Sequence, residues 1–320
     1  GARAALTARV RPERVPLSLA QQRMWFLNQL DPESPVYNVP LAIRLSGKLD
    51  VAGLKAAVSD VLARHESLRT LYPSDPDGPM QVIVPPEEVV LDLSPVEVDA
   101  ESVMLRVAEV VGQGFDVGAE VPVRAKLFSL GSGDYVLVVV IHHVAGDGSS
   151  VGPLGRDVMV AYEARSRGVV PGWAPLGVQY ADYALWQREM LGSDGDPDSI
   201  ASKQIAYWRT QLADVPPVLN LPLDRARPAI QSLRGATVNF TIDARLHSDL
   251  SRLAEGHNVT VFMVIHAAVA VLMSRLSSST DVVLGTPVAG RGEAELDDLI
   301  GMFVNTLVLR TNVEASEGFG

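Results

Sequence analysis

The 320-residue chain contains no cysteine, which removes disulfides, thiolate nucleophiles and Cys-based metal sites together. Aromatic residues are sparse at 6%. No apolar run approaches the roughly 20 residues that a bilayer-spanning helix needs. The longest, Val261–Met273, is interrupted by His266 and reads as a buried helix. Positive charge is in deficit, since Lys+Arg 27 against Asp+Glu 38 leave a net charge of −11. Such a balance disfavours nucleic acid and anionic membranes as partners. Arg3, Arg9, Arg11 and Arg14 make the N-terminal arm locally basic, and it reads as a tail. No signal peptide opens the chain, which together with the missing cysteine fits a cytoplasmic protein. A Gly-x-Ser-x-Gly elbow and a Gly-rich phosphate loop are also missing. His65, His247, His257 and His266 show no metal-ligand spacing.

What is present is a 47% hydrophobic chain, rich enough for a buried core and long enough for about two compact units. Ser18 is a candidate N-cap for a helix to Leu30. Val39–Leu45 reads as a strand, and Val51–His65 as an amphipathic helix. After the Asp75–Gly78 turn cluster, Gln81–Val84 and Val89–Leu93 read as strands. Val103–Val111 is helical in pattern. Val121–Leu130 and Asp134–His143 can pair across Gly131-Ser132-Gly133, and a helix follows to about Arg167. The segment Gly168–Pro175 is the candidate hinge, dividing the chain into 1–172 and 173–320. Beyond it come helices at Val178–Leu191, Ile200–Leu212, Ala244–Gly256 and Thr260–Arg275. Thr237–Ile242, Asp281–Pro287 and Phe303–Asn312 read as strands, with Pro216–Pro228 an extended crossing segment. Strands and helices mixed in both halves predict a two-lobed α/β or α+β protein.

The chemistry concentrates in Ile141-His142-His143-Val144-Ala145-Gly146-Asp147-Gly148. A strongly apolar strand carries two imidazoles out of the core. Alternation lets one histidine face a cavity while the other packs beneath it. Asp147 can lock the loop through an imidazole or an arginine, with Arg291 of Gly290-Arg291-Gly292 the candidate partner. Gly148 suits a positive φ or close ligand approach. The helix starting near Ser149 offers N–H groups to a developing oxyanion, with Ser149 and Ser150 as caps. Trp25 and Phe26 read as core. Arg64, Glu66 and Arg69 read as an ion-pair network, with Arg69 near the cavity. Tyr180, Asp182 and Trp186 tie the hinge to a lobe. Asn305, an amide in an apolar strand, must be hydrogen-bonded if buried, and is expected near the cavity.

His142–Gly148 resembles the HHxxxDG motif of condensation domains of non-ribosomal peptide synthetases. Other blocks match in order: Ser18–Leu27, Arg64–Thr70, Tyr180–Trp186, and Ile300–Thr306 with Arg310. HHxxxDG alone would indicate only the wider superfamily that includes chloramphenicol acetyltransferase. The resemblance implies two chloramphenicol acetyltransferase-like lobes in a V with a tunnel between them. The late family blocks are missing, so the C-terminal lobe is expected to be incomplete. Ser149 stands where many members have Trp.

The implied reaction joins an upstream carrier-bound acyl or peptidyl thioester to the amine of a downstream aminoacyl thioester. His143 would contact the amine, while His142 and Asp147 shape the loop. Arg69, Ser149, Tyr180, Trp186, Arg291 and Asn305 would be supporting residues. The domain itself would bind no cofactor or metal; 4'-phosphopantetheine arms would arrive on peptidyl carrier proteins, with an adenylation domain alongside. An epimerisation domain, or an inactive domain that only recruits carriers, are the alternatives.

Overall fold

Residues 4–229, 232, 235–314 and 318 are described by a computed structural model. In chain order the elements are β1 (Val15–Pro16), α1 (Leu19–Leu30), β2 (Asn38–Ser46), α2 (Val51–Arg64), β3 (Thr70–Leu71), β4 (Ser74–Asp75), β5 (Gly78–Ile83), β6 (Val96–Glu97), α3 (Val103–Val111), β7 (Val123–Gly131), β8 (Asp134–His142), α4 (Val151–Ser166), α5 (Tyr180–Leu191), α6 (Ile200–Gln211), α7 (Ala244–Gly256), α8 (Val261–Ser277), β9 (Asp281–Val288) and β10 (Asn305–Asn312). Contacts divide the chain into one unit of Gly1–Ala201 with Ala289–Asn305, and another of Ser202–Val288 with Thr306–Gly320. The boundary expected after Gly172 falls inside the first unit. There Arg64 lies over the Trp173 ring at 4.9 Å and donates to the Ala174 carbonyl, tying Gly168–Pro175 to α2.

In the first unit, β8 is an interior strand of the sheet β2-β8-β7-β6, which explains its near-continuous apolar run. Its alternate residues serve two cores. Val138 and Val140 pack with α3 and Phe115, while Leu137 packs with Leu54, Leu93 and Leu127. Antiparallel pairing sets Asn38 opposite His142 and Ser46 opposite Asp134. β7 pairs with β8 across the expected turn. α1 is capped as its sequence predicts, with Ser18 and Gln21 forming a reciprocal box. The second unit holds α7, α8 and the β9–β10 sheet. In it Arg310 grips Asp281 at 2.7 and 2.9 Å and donates to the Gln211 and Ala213 carbonyls.

Several expectations are corrected. Val89–Leu93 is not a strand; Val89 and Leu93 are buried core contacts in an irregular segment, and the strand is the short β6, parallel to β7. Thr237–Ile242 alternates like a strand but forms none, because a ladder needs a partner and none pairs with it among the described residues. Val238 and Phe240 are exposed there. Phe26 is exposed instead of core. The N-terminal arm is no tail: Leu6 is buried in the Tyr183/Trp186 cluster, the Trp186 indole donates to the Ala4 carbonyl at 2.7 Å, and Arg11 pairs with Asp182 and Glu66. No single helix among the described residues is long and apolar enough to cross a membrane.

Candidate active site

The strand β8 delivers its two histidines to different environments. His142 is buried, with the rings of Phe115 and Tyr37 at 6.1 and 6.4 Å. Its Nδ1 accepts the Val144 N–H at 3.1 Å, and its carbonyl accepts the Ala145 N–H at 2.9 Å. An accepting Nδ1 carries no proton, so this ring is neutral with its hydrogen on Nε2. Burial, reinforced by His143, pushes its pKa down to about 4. His142 is thus a fixed post around which the loop turns.

His143 is half-buried and continues the β2 ladder, donating its backbone N–H to the Tyr37 carbonyl at 2.8 Å. Its Nδ1 has no hydrogen-bond partner among the described residues. Among the described residues no carboxylate bonds to it, so there it is not the middle member of a Ser-His-Asp relay. The imidazole is presented by backbone geometry alone.

Asp147 accounts for the loop. Oδ1 accepts the Ser150 N–H at 3.0 Å and the Ser150 hydroxyl at 2.9 Å. Oδ2 accepts the Phe303 and Val304 N–H groups at 3.0 and 3.2 Å. Arg291 Nη2 lies 3.5 Å from Oδ1 and 3.1 Å from the Ser150 Oγ. Arg291 also donates to the Leu296 and Leu299 carbonyls, and its guanidinium lies 4.3 Å over the Phe303 ring. Of the two partners open to Asp147 on sequence, the arginine is the one it meets. With its lone pairs so occupied, the carboxylate serves structure and is no free base. Gly290 permits this approach: its φ is +68°, and a Cβ there would lie 2.1 Å from the Phe303 carbonyl.

Other expected site residues fall differently. Gly148 has neither a positive φ nor a close neighbour, and a Cβ there would meet no atom within 4 Å. The helix N-terminus is not open to an oxyanion through Ser150, whose N–H is consumed by Asp147. Neither serine caps α4 through its side chain; Asp147 caps the short turn ahead of it, and Ser149 is exposed. Asn305 is exposed and receives Arg23 at 3.4 Å, because it stands at the start of β10 in a two-stranded sheet. Arg69 is buried but bonded to the Leu62 and Val84 carbonyls, with Glu66 at 3.9 Å. Tyr180 packs its ring 5.0 Å from Phe303, and Trp186 holds the N-terminal arm.

Two features escape the sequence reading. Ser150 is a junction, its hydroxyl also receiving the Asp147 and Gly301 N–H groups at 3.2 and 3.1 Å. An N-cap Asp with a hydroxyl at N3 is the spacing of a reciprocal cap, and that spacing was the available signal. The second is Asp157, buried and held by His65, Arg64 and Arg156, each at 2.8 Å. No local pattern marks it.

The condensation-domain family model matches residues 12–320. Over 315 residues the chain is 49% identical to a probable non-canonical nonribosomal peptide synthetase, CymA, of Salinispora arenicola, covering 98% of this chain and 4% of that protein. It is 46% identical over 315 residues to a dimodular nonribosomal peptide synthase of Bacillus subtilis, covering 98% and 13%. The chain therefore spans a small part of the curated relatives it matches. Among solved structures, the complex of the X-domain and OxyB from teicoplanin biosynthesis aligns with TM-score 0.92 at 39% identity, over 100% of this chain and 70% of that one. The first condensation domain of the CDA synthetase aligns with TM-score 0.74 at 23% identity, over 97% and 73%. That second likeness is one of fold, the mixed α/β, chloramphenicol acetyltransferase-like architecture expected from the sequence.

Proposed function

The chain belongs to the condensation-domain family, and on that premise we propose that it joins an upstream carrier-bound acyl or peptidyl thioester to the amine of a downstream carrier-bound aminoacyl thioester. Peptide-bond formation is the family's general role. In the proposed step the amine nitrogen forms a bond to the thioester carbonyl carbon. The carbon–sulfur bond breaks, the upstream pantetheine arm leaves as its thiol, and the nitrogen loses one proton. The phosphopantetheine arms are substrate tethers brought by the carrier proteins, with an adenylation domain as a further partner.

One observation carries the reading: His143 is half-buried, anchored by its backbone and free of internal side-chain bonds, while its neighbours are fully engaged in holding the loop. An α-amino group has a reference pKa of about 7.7–8.0, so a neutral fraction exists at neutral pH. Holding two tethered reactants supplies much of the acceleration, on the order of 7–11 kcal/mol at best. His143 therefore positions the amine and accepts its proton as the tetrahedral intermediate forms. The open space before Gly148 supports an approach from that side.

The test is His143→Ala in the full-length protein with both carriers loaded, reading the downstream carrier by intact mass spectrometry. A loss on the order of 10²–10⁴-fold is expected for a lost acid–base group; undiminished amide formation refutes the assignment. Cα inversion without a new amide would indicate an epimerisation domain. A second reading rests on the likeness to the X-domain, whose solved structure is a complex with OxyB. On that reading the domain works by holding a partner protein, and binding without turnover in the same assay would support it.

A further inference from the structure

The backbone from Gly301 to Val304 is gripped from two sides. On one side lie Ser150 and Asp147, taking the N–H groups of Gly301, Phe303 and Val304. On the other lies Tyr180, whose ring leaves no room for a side chain at residue 301: a Cβ there would sit 2.1 Å from the ring. The Tyr180 hydroxyl donates to the Met302 carbonyl. It stands 2.8 Å from the Ser18 hydroxyl, which also accepts the Gln21 N–H at 3.1 Å as the N-cap of α1.

The Met302 carbonyl and the Phe303 N–H belong to one peptide group. That group is planar and trans, so the two bonds point in opposite directions from a rigid plate. One end of the plate rests on the Tyr180 hydroxyl and the other on Asp147 Oδ2. Hydrogen bonds in series through such a group polarise one another, and in a buried setting each is stronger than in water. The hydroxyl, the plate and the carboxylate are all buried.

We propose that Tyr180 is a positioning residue: through the peptide group joining Met302 to Phe303, its hydroxyl sets the Asp147 carboxylate and hence the loop that presents His143. The inference rests on His143 acting in amide formation, as argued above. Burial raises the Tyr180 pKa well above the usual tyrosine value, so the hydroxyl keeps its proton and stays a donor throughout the working pH range. Ser18 places the start of α1 on the same chain of bonds, which accounts for a polar helix cap buried beside an aromatic cluster.

Tyr180→Phe removes the hydroxyl and keeps the ring on Gly301. Tyr183→Phe is the control: it removes a hydroxyl from the same cluster, one that accepts from Gln187 at 2.8 Å. Both are made in the full-length protein. Two readouts are taken, amide hydrogen exchange over 301–304 and 143–150, and kcat and KM for the amide-forming step. For Tyr180→Phe, faster exchange in both segments and a kcat lower by about tenfold with KM little changed are expected, the size of one buried hydrogen bond. For Tyr183→Phe, whose ring contacts with Tyr180 and Phe303 are kept, exchange in those segments and kcat should stay within about twofold, since the lost bond is to Gln187 and not to the peptide plate. Unchanged exchange at 143–150 in Tyr180→Phe overturns the proposal, as does an equal loss in Tyr183→Phe. Exchange requires no turnover. If even the unaltered protein forms no amide, the functional reading fails while exchange still decides the role of Tyr180.

Discussion

Asp147 and Asp157 are both buried aspartates flanked by arginine, one just ahead of α4 and the other within it, yet they are wired differently. Asp147 is held mainly by backbone N–H groups, those of Ser150, Phe303 and Val304. Asp157 is held by side chains alone, those of Arg64, His65 and Arg156. A carboxylate that collects backbone donors fixes the path of the chain. One that collects side chains fastens pre-formed elements, here the end of α2 to α4. The first arrangement shapes the loop that carries His143, and the second staples a scaffold. Charge, burial and neighbouring arginines are shared, so they do not by themselves mark a functional carboxylate.

The largest effect is expected from Asp147→Ala. It leaves the Arg291 guanidinium and the three backbone donors without their acceptor. Breaking a buried charged pair in this way costs about 3–5 kcal/mol. Denaturant unfolding should show that loss, and amide formation should disappear even at temperatures where the variant is folded. If Asp147→Ala loses stability but the folded fraction keeps full turnover, the distinction between the two aspartates collapses.

Acid tests both sites at once, because each depends on a buried neutral imidazole. His142, under the Asp147 loop, has its pKa pushed down to about 4 by burial. Burial also lowers that of His65, against the opposing pull of Asp157. Between the ordinary histidine value near 6.5 and about 4, the unfolded chain binds protons that the native state refuses. Stability therefore falls as pH drops through that window, by roughly 3 kcal/mol from His142 alone. Thermal unfolding followed from pH 7 to pH 4.5 should show the decline, and His142→Asn should flatten it. A pH-independent unfolding temperature across that range would remove His142 from the account. If His65→Gln flattens the curve more than His142→Asn, the staple and not the loop is the acid-sensitive element.

The sequence made the loop legible because its logic is local. Two histidines at a strand end, a turn and a helix start follow from alternation and capping within a few residues. Arg291 was reachable by charge matching, although it is far away in the chain. The apolar strand around Asn305 does not tell whether its amide is covered, since burial depends on how many layers pack on a strand, and here it is exposed beside Arg23. Thr237–Ile242 failed for the related reason that periodicity reports alternation and not whether a partner strand exists. Ser150 is legible only as the far end of a reciprocal cap on Asp147, and the Met302–Phe303 peptide is not legible at all, because backbone groups carry no sequence signature. Asp157 was hidden by distance, since its partners come from both α2 and α4 and the ion pair leaves no local spacing.

The smallest expected effect, and the sharpest control, is Asp157→Asn. Burial alone would raise this carboxyl's pKa, but hydrogen bonds from His65, Arg156 and Arg64 outweigh it and bring it down to about 2. A folded value below the ordinary carboxylate value means stability present above that ordinary value and lost as pH falls towards 2. At neutral pH the shift corresponds to roughly 2 kcal/mol. The near-isosteric amide keeps the shape while removing the charge, so unfolding should move by about that amount. Because Asp157 touches no backbone of the His142–Ser150 loop, kcat per folded molecule should remain within about twofold, distant sites being close to independent. A kcat loss comparable to that of Asp147→Ala would mean that the staple sets the loop geometry too, and that the two carboxylates act as one unit.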